Sequence, residues 1–387
     1  MGSDKPTGQE WRNWKRKRNR ERAAMNMPPN PASWEDEWNS VHGLEEAKEQ
    51  NAIQFLQNEV SRLKKESLSQ SVIREEIFKL SAIKPNPPVW LSGSNNPKLP
   101  GVPTLLLSDW HWTEWVDPKQ IAGCNEYNMK IAKERATRCI DHTIELLKHH
   151  MVNPEYPGIV VCLAGDMVSG DIHQELKETN EVPTIAGVVD LFQFLSGGIR
   201  KLADEFGNVF LPCVTGNHSR TSMKPVSKNR AQTSYDWLLY TMLEKAFEGD
   251  DRVRFMVSPG PDQHFRIYNH AYLLTHGDQF RGGDGMIGFL GPVKRGDHKK
   301  RGRNSQIGLG YNTLVLGHFH QLSQNSRMII NGSLVGYNEY AYQGNFEFEE
   351  PKQALWLTHP DRGITFHMPV FVDEPRKHEE TPWVSWK

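Results

Sequence analysis

The sequence predicts a layered α/β fold with mixed β-sheets, and three features carry that expectation. Apolar, strand-like runs at 104–107, 159–164 and 209–214 alternate with helical stretches around 126–150, 184–205 and 231–247. Strand-like runs then dominate, at 264–268, 271–275, 313–316 and 328–331 and twice more near the C-terminus. A βαβ series giving way to strand-rich sequence fits packed α and β layers. At 387 residues the chain is long enough to bury a full core, as one large domain or two smaller ones. No internal repeat is evident.

Taken in order, residues 1–42 are expected to be a disordered basic tail. There Arg12, Lys15, Arg16, Lys17, Arg18, Arg20 and Arg22 surround Trp11 and Trp14. Such a charge block reads either as a solvated tail or as an attractor of nucleic acid. Residues 43–83 form a helical accessory segment. Ile53, Leu56, Val60 and Leu63 follow three–four spacing, and Val72, Ile73, Ile77 and Leu80 mark a second helical stretch at 70–82. The pair suits a helical hairpin, a short coiled coil or a helix-turn-helix, and with it self-association or a partner. Residues 84–101, rich in Pro, Asn, Gly and Ser, read as a linker. The main domain is then 102–372, with a C-terminal tail at 373–387.

The net charge of −1 hides these local imbalances. No run of 18 apolar residues appears, so no transmembrane helix and no membrane partner are expected. The first 30 residues lack the apolar core of a secretory signal. Cys124, Cys139, Cys162 and Cys213 are scattered, without a C-x-x-C pair. A reduced, intracellular, cytoplasmic setting fits them.

The chemistry gathers at the strand ends. After 104–107 come Asp109 and His111; after 159–164, Asp166; after 209–214, Asn217 and His218; after 271–275, His276; after 313–316, His318 and His320. Side chains alternate along an extended chain, so Asp109 and His111 are expected on one side of it. Open α/β sheets place ligand sites outside the carboxyl ends of their strands, so all five turns should converge. Gly165, Gly216 and Gly317 immediately precede ligands and permit sharp turns. Oxygen and imidazole donors without thiolate suit Mn²⁺, Fe or Zn²⁺. The donors exceed the need of one ion, and two ions sharing Asp166 account for them.

At these residues the sequence resembles the calcineurin-like metallophosphoesterase superfamily. Its ordered blocks D-x-H, GD, GNH, H and GHxH read here as Asp109-Trp110-His111, Gly165-Asp166, Gly216-Asn217-His218, His276 and Gly317-His318-Phe319-His320. The resemblance implies a four-layer α-β-β-α sandwich with two mixed β-sheets, preceded here by the helical N-terminal segment. It implies one ion held by Asp109, His111, Asp166 and His320, and another by Asp166, Asn217, His276 and His318. It also implies phosphoester hydrolysis through a metal-bridging hydroxide, with His218 contacting the phosphate and assisting the leaving group. Two departures stand out. Ser219-Arg220 follows GNH in place of an acidic residue, which leaves the branch open. The GD block lacks the Asp-Arg-Gly of protein phosphatases, which lowers that reading.

Between His276 and Gly317 lies a glycine-rich basic segment, 277–306, expected as a mobile flap over the metals. It carries Arg281, Lys294, Arg295, Lys299, Lys300, Arg301 and Arg303. These cations, with Arg220, are candidate contacts to a polyanionic substrate. Trp110, Trp112 and Trp115 flank the first ligand turn and either stack a base or pack the core. The leading functional expectation is a metal-dependent phosphodiesterase acting on nucleic acid, a DNA nuclease of the family's repair branch. The alternatives are a phosphatase or phosphodiesterase for a small nucleotide or phosphoprotein, and a non-catalytic DNA- or partner-binding protein.

Overall fold

In the computed structural model the described residues are 8–41, 54, 57, 58, 61, 101–151, 155–281 and 288–374. The chain divides into two compact units, Met1–Asn96 and Pro97–Lys387. Most of the expected 43–83 helices, the 84–101 linker up to 100 and residues 375–387 lie outside the described residues.

The N-terminal stretch departs from the expected disorder. Gly8–Ala24 is a helix, α1, and residues 34–41 are helical as well, α2. Arg, Lys, Gln, Glu and Ala are strong helix formers, and α1 contains little else. Four tryptophans supply the apolar contact that aliphatic residues do not. The Trp11 and Trp14 rings stack at 5.1 Å, Trp38 sits edge-on to both, and Trp34 is edge-on to Trp14. The buried guanidinium of Arg22 donates to Glu37 at 2.8 Å and to the Pro28 carbonyl at 2.9 Å. Arg18 donates to the other Glu37 oxygen at 2.9 Å. Charges that read as a solvated block are therefore partly internal ties.

The second unit holds two mixed sheets. The first comprises β1 (Val102–Leu107), β2 (Ile159–Leu163), β3 (Val209–Cys213), β4 (Val253–Val257), β10 (Lys352–His359) and β11 (Gly363–Phe371), in the order β11-β10-β1-β2-β3-β4. From β1 to β4 the strands run parallel, and β10 and β11 add antiparallel pairings. The second comprises β5 (Asp262–Ile267), β6 (His270–Thr275), β7 (Thr313–Leu316), β8 (Ser323–Gln324) and β9 (Met328–Ile330), in the order β5-β6-β7-β9-β8. Its centre, β6-β7-β9, is parallel and its two edges are antiparallel.

Strand alternation sorts the apolar side chains into three cores. Leu105, Leu107, Val161, Leu163, Leu211 and Cys213 face α3 (Met129–Lys148), α5 (Thr184–Phe206) and α6 (Tyr235–Ala246), whose Ala136, Leu195 and Leu239 join the same cluster. The intervening Leu106, Val160 and Cys162 meet Tyr272, Leu274, Val315, Ile329 and Trp356 between the sheets. Leu273, Leu314, Leu316 and Ile330 turn the other way, toward Val293 of α7 (Leu290–Gln306). Three cores between four layers make the expected α-β-β-α sandwich. The remaining helices, α4 (Gln174–Thr179) and α8 (Glu339–Gln343), lie in connections. Trp110 and Trp112 are fully buried in the helix-side core, whereas Trp115 is exposed.

Trp356 sits centrally between the sheets and donates to the Tyr272 hydroxyl. Trp356→Ala is expected to lower unfolding stability by about 3–5 kcal/mol. Phe366→Ala, on exposed β11, should change it by less than about 1 kcal/mol. Urea denaturation of both variants checks this contrast.

Candidate metal centre

All five ligand turns leave the carboxyl ends of central strands β1, β2, β3, β6 and β7, and they meet where the two sheets abut. Pairing continues past the strands. The amides of Asp109, His111 and Trp112 donate to the carbonyls of Gly165, Asp166 and Met167, and Gly317 donates to His276. Asp109 and His111 are not extended as alternation would require. Both adopt left-handed backbone, with φ of 56° and 45°, as do Asp166, His318 and His320 at 51°, 72° and 55°. Such conformations cost L-residues about 1–3 kcal/mol each and persist only where surroundings enforce them. The enforcement is partly steric. A Cβ at Gly216 would fall 2.0 Å from the Asp166 carboxylate, and one at Gly317 would fall 2.3 Å from that of Asp109.

Two donor sets result. Asp109, His111 and His320 offer atoms within 4.8 Å of one another, and so do Asp166, His276 and His318. His111, Asp166 and His218 form a third such set between them. Asp166 Oδ2 lies 2.9 Å from His276 Nε2, and Asn217 Oδ1 lies 3.1 Å from the same nitrogen. His111 Nε2 and His320 Nε2 are 3.3 Å apart, with Asp109 Oδ1 3.4 Å from His320. Adjacent ligands bound at about 2.0–2.2 Å stand about 3 Å apart, so the spacing fits divalent ions. The Ala164 carbonyl, 2.8 Å from His276 Nδ1, can only accept; Nδ1 therefore carries the proton and Nε2 is left to ligate. His111 Nδ1 lies 3.2 Å from buried Glu114, which Asn338 holds at 2.9 Å.

The electrostatics match a cation site. Burial opposes a charged Asp166, yet His276 and His218 hold its carboxyl well below the usual range. Burial would lower His276, but Asp166 pushes it up to about 10. His318 falls to about 4 through burial and the neighbouring His276. Burial, with His218 and His320, drives His111 well below the usual imidazole range. Protons shared among these groups are what bound cations would displace.

Asp236 on α6 organises the turns and carries no local sequence signal. Its carboxylate accepts from the amides of Asp166 at 3.0 Å, Met167 at 3.2 Å and Gly216 at 2.9 Å, and from the Ser219 hydroxyl at 2.6 Å. Ser108 ties down the first turn: its amide donates to Gln353 Oε1 at 3.1 Å, and its hydroxyl accepts from Asn331 Nδ2 at 2.9 Å. Asp278, just after His276, takes both nitrogens of Arg230 at 2.8 and 2.9 Å.

Residues 282–287 of the basic segment lie outside the described residues, and its described part departs from a flexible flap. From 290 onward it is helix α7, and Gly296 fits against the Phe280 ring, which a Cβ would meet at 2.1 Å. Lys300 is buried on Asp262 at 2.5 Å, and Arg303 shares that carboxylate. Arg301 bonds Asp297 and the Tyr311 and Asn312 carbonyls. Arg281, Lys294, Arg295 and Lys299 are exposed. Arg220 donates to the carbonyls of Asn217, Ser222 and Met223, so its fork braces its own loop.

No family model matches the chain, and no curated protein matches it. Among solved structures it is similar to a dimetal phosphatase from Danio rerio, at 12% identity over 71% of this chain and 100% of that one, with a TM-score of 0.31. It is similar to Vps29 complexed with Zn²⁺ from Entamoeba histolytica, at 11% identity over 70% and 99%, TM-score 0.28. It is also similar to a predicted phosphoesterase from Streptococcus pneumoniae, at 10% identity over 70% and 99%, TM-score 0.25. At these overlaps the sheet order and the ligand geometry carry the weight.

Asp236→Asn should leave the fold intact while its amide nitrogen confronts backbone N–H donors, that of Met167 in one orientation or those of Asp166 and Gly216 in the other. Metal affinity is expected to fall about 10–100-fold, measured by titration calorimetry with Mn²⁺ against the wild-type chain.

Proposed function

We propose that this chain is a dinuclear metal-dependent phosphoesterase of the calcineurin-like type that hydrolyses phosphodiester bonds in nucleic acid, DNA above all. The observation that carries the reading is the pair of donor sets, Asp109–His111–His320 and Asp166–His276–His318, each with two buried members and one partly exposed, side by side where the two sheets abut. Asn217 would complete the second set. These residues would hold two divalent ions, Mn²⁺ first and Fe or Zn²⁺ by the same donors, which when bound would supply Lewis-acid charge neutralisation and a nucleophile from water.

The chain's own groups do the rest. The first oxygen of Asp166 accepts the His218 amide at 2.7 Å, and the second faces His276. The Asp166 carboxylate is thereby fixed between the two sets. His218 packs edge-on to His111 at 4.6 Å, and its buried Nδ1 has no hydrogen-bond partner among the described residues. An incoming phosphoryl oxygen would satisfy that nitrogen. Burial and the nearby histidines hold His218 below the usual imidazole range, against the pull of Asp166, so near neutral pH it binds as an uncharged hydrogen-bonding ring. The Ala164 carbonyl orients His276 from behind, and Glu114 lies 3.2 Å from His111 Nδ1.

Support for a polyanionic substrate comes from α7. Phe289, at its start, stacks on Phe319 of the GHFH turn at 5.6 Å, so the helix begins beside the centre. Lys294, Arg295 and Lys299 lie exposed along it, and Arg281 precedes it. Among the described residues no helix is long and apolar enough to cross a membrane.

The test reloads metal-free protein with Mn²⁺ and follows end-labelled single- and double-stranded DNA beside a small chromogenic phosphodiester. DNA cleavage is expected, with a loss of at least about 10³-fold in Asp166→Asn. Turnover of the small ester alone would move the substrate to small nucleotides or phosphoproteins. Cleavage that survives in Asp166→Asn would overturn the metal reading itself.

A further inference from the structure

The N-terminal unit contains a second cationic surface that the metal chemistry does not use. Of the seven cations on α1, three are internal. Arg18 and Arg22 are held by Glu37, and the Lys15 ammonium lies 4.8 Å from the Trp11 ring centroid and 5.5 Å from that of Trp34. The inward stripe is Trp11, Trp14, Lys15, Arg18 and Arg22, at helical three–four spacing. Its packing fixes which way the remaining cations point.

Arg12, Arg16 and Arg20 are exposed and stand at i, i+4 and i+8, one turn above another on a single line. Among the described residues Arg12 bonds the uncharged Gln9, and no acid pairs with Arg16 or Arg20. Lys17, one position from Arg16, reaches Glu21 at no closer than 4.0 Å with both side chains solvated. Like charges at i, i+4 disfavour a helix, so the ridge works against α1 unless an anion covers it. Arginine also presents a planar fork suited to phosphate oxygens.

We infer that the Arg12–Arg16–Arg20 ridge of α1 docks the phosphate backbone of a nucleic-acid strand, with the tryptophan cluster serving as its rigid mount. The ridge is a sequence-independent anchor that shares no residue with the proposed metal centre. This inference rests on the nucleic-acid reading of that centre and deepens it.

The experiment measures binding of a fluorescent single-stranded oligonucleotide by anisotropy, from 50 to 200 mM salt. It uses the full chain with chelator present, so that nothing is cleaved. R12Q/R16Q/R20Q keeps good helix formers at all three positions; circular dichroism and tryptophan fluorescence report whether the unit stays folded. Loss of three phosphate contacts is expected to reduce the slope of log affinity against log salt by about 2. R12K/R16K/R20K, which keeps the charge, should retain most of the slope and so separates charge from folding. An unchanged slope in the glutamine variant would overturn the ridge while Mn²⁺-dependent DNA cleavage left the proposed activity standing. Arginine-dependent binding to phosphatidylserine vesicles, with none to the oligonucleotide, would also overturn it. Loss of cleavage by the wild-type chain concerns the metal centre and is read separately in the Asp166→Asn comparison.

Discussion

A buried carboxylate with no metal to bind holds this molecule's chemistry in register. Asp236 collects three backbone amides and one hydroxyl from the turns after β2 and β3. Those turns carry Asp166, Asn217 and His218. Burial and the nearby charge of Asp166 raise Asp236 to about 6, even with the Gly216 amide and Ser219 pulling it down. It is still ionised near neutral pH, and an ionised acceptor is what converging N–H groups need. Without it, the Asp166 and Gly216 turns would present unpaired amides to a dry interior.

The strain at the centre has the same origin. Five candidate ligands occupy left-handed backbone because their turns are pinned on both sides, by carboxylates that accept amides and by glycines too close to admit a Cβ. Asp109 takes the His318 amide at 3.0 Å on both of its oxygens, so a ligand of one set positions a ligand of the other. The two sets are mechanically one object.

Much of this was legible in the sequence, for physical reasons. The strands β1, β2, β3, β6 and β7 are buried on both faces and so read as unbroken apolar runs, and the donors announce themselves because each follows such a run directly. Strands β4 and β8 were not legible. β4 is half exposed at a sheet edge, with Arg254 and Met256 outward, and β8 is only two residues long. The Asp236 hub lies on another helix, and nothing within its own segment marks it. Helix α7 hid behind glycines that exist for close packing, as Gly296 does against Phe280. Its Lys300 and Arg301 look like substrate contacts until Asp262 and Asp297 are found beside them. The N-terminal helices hid behind charge, since the pairing of Arg18 and Arg22 with Glu37 spans a loop that periodicity cannot see.

The strand order of the first sheet has a bearing on biosynthesis. β1, which leads into Asp109 and His111, lies between β2 and β10, so its outer neighbour is made some 250 residues later. Each donor set also draws on both sheets: Asp109 and His111 with His320, Asp166 with His276 and His318. A chain still emerging from the ribosome can form the early parallel strands but cannot assemble either set. The candidate metal centre therefore cannot form until β7 and the turn after it have been made, and a chain that stops before His318 lacks part of both donor sets.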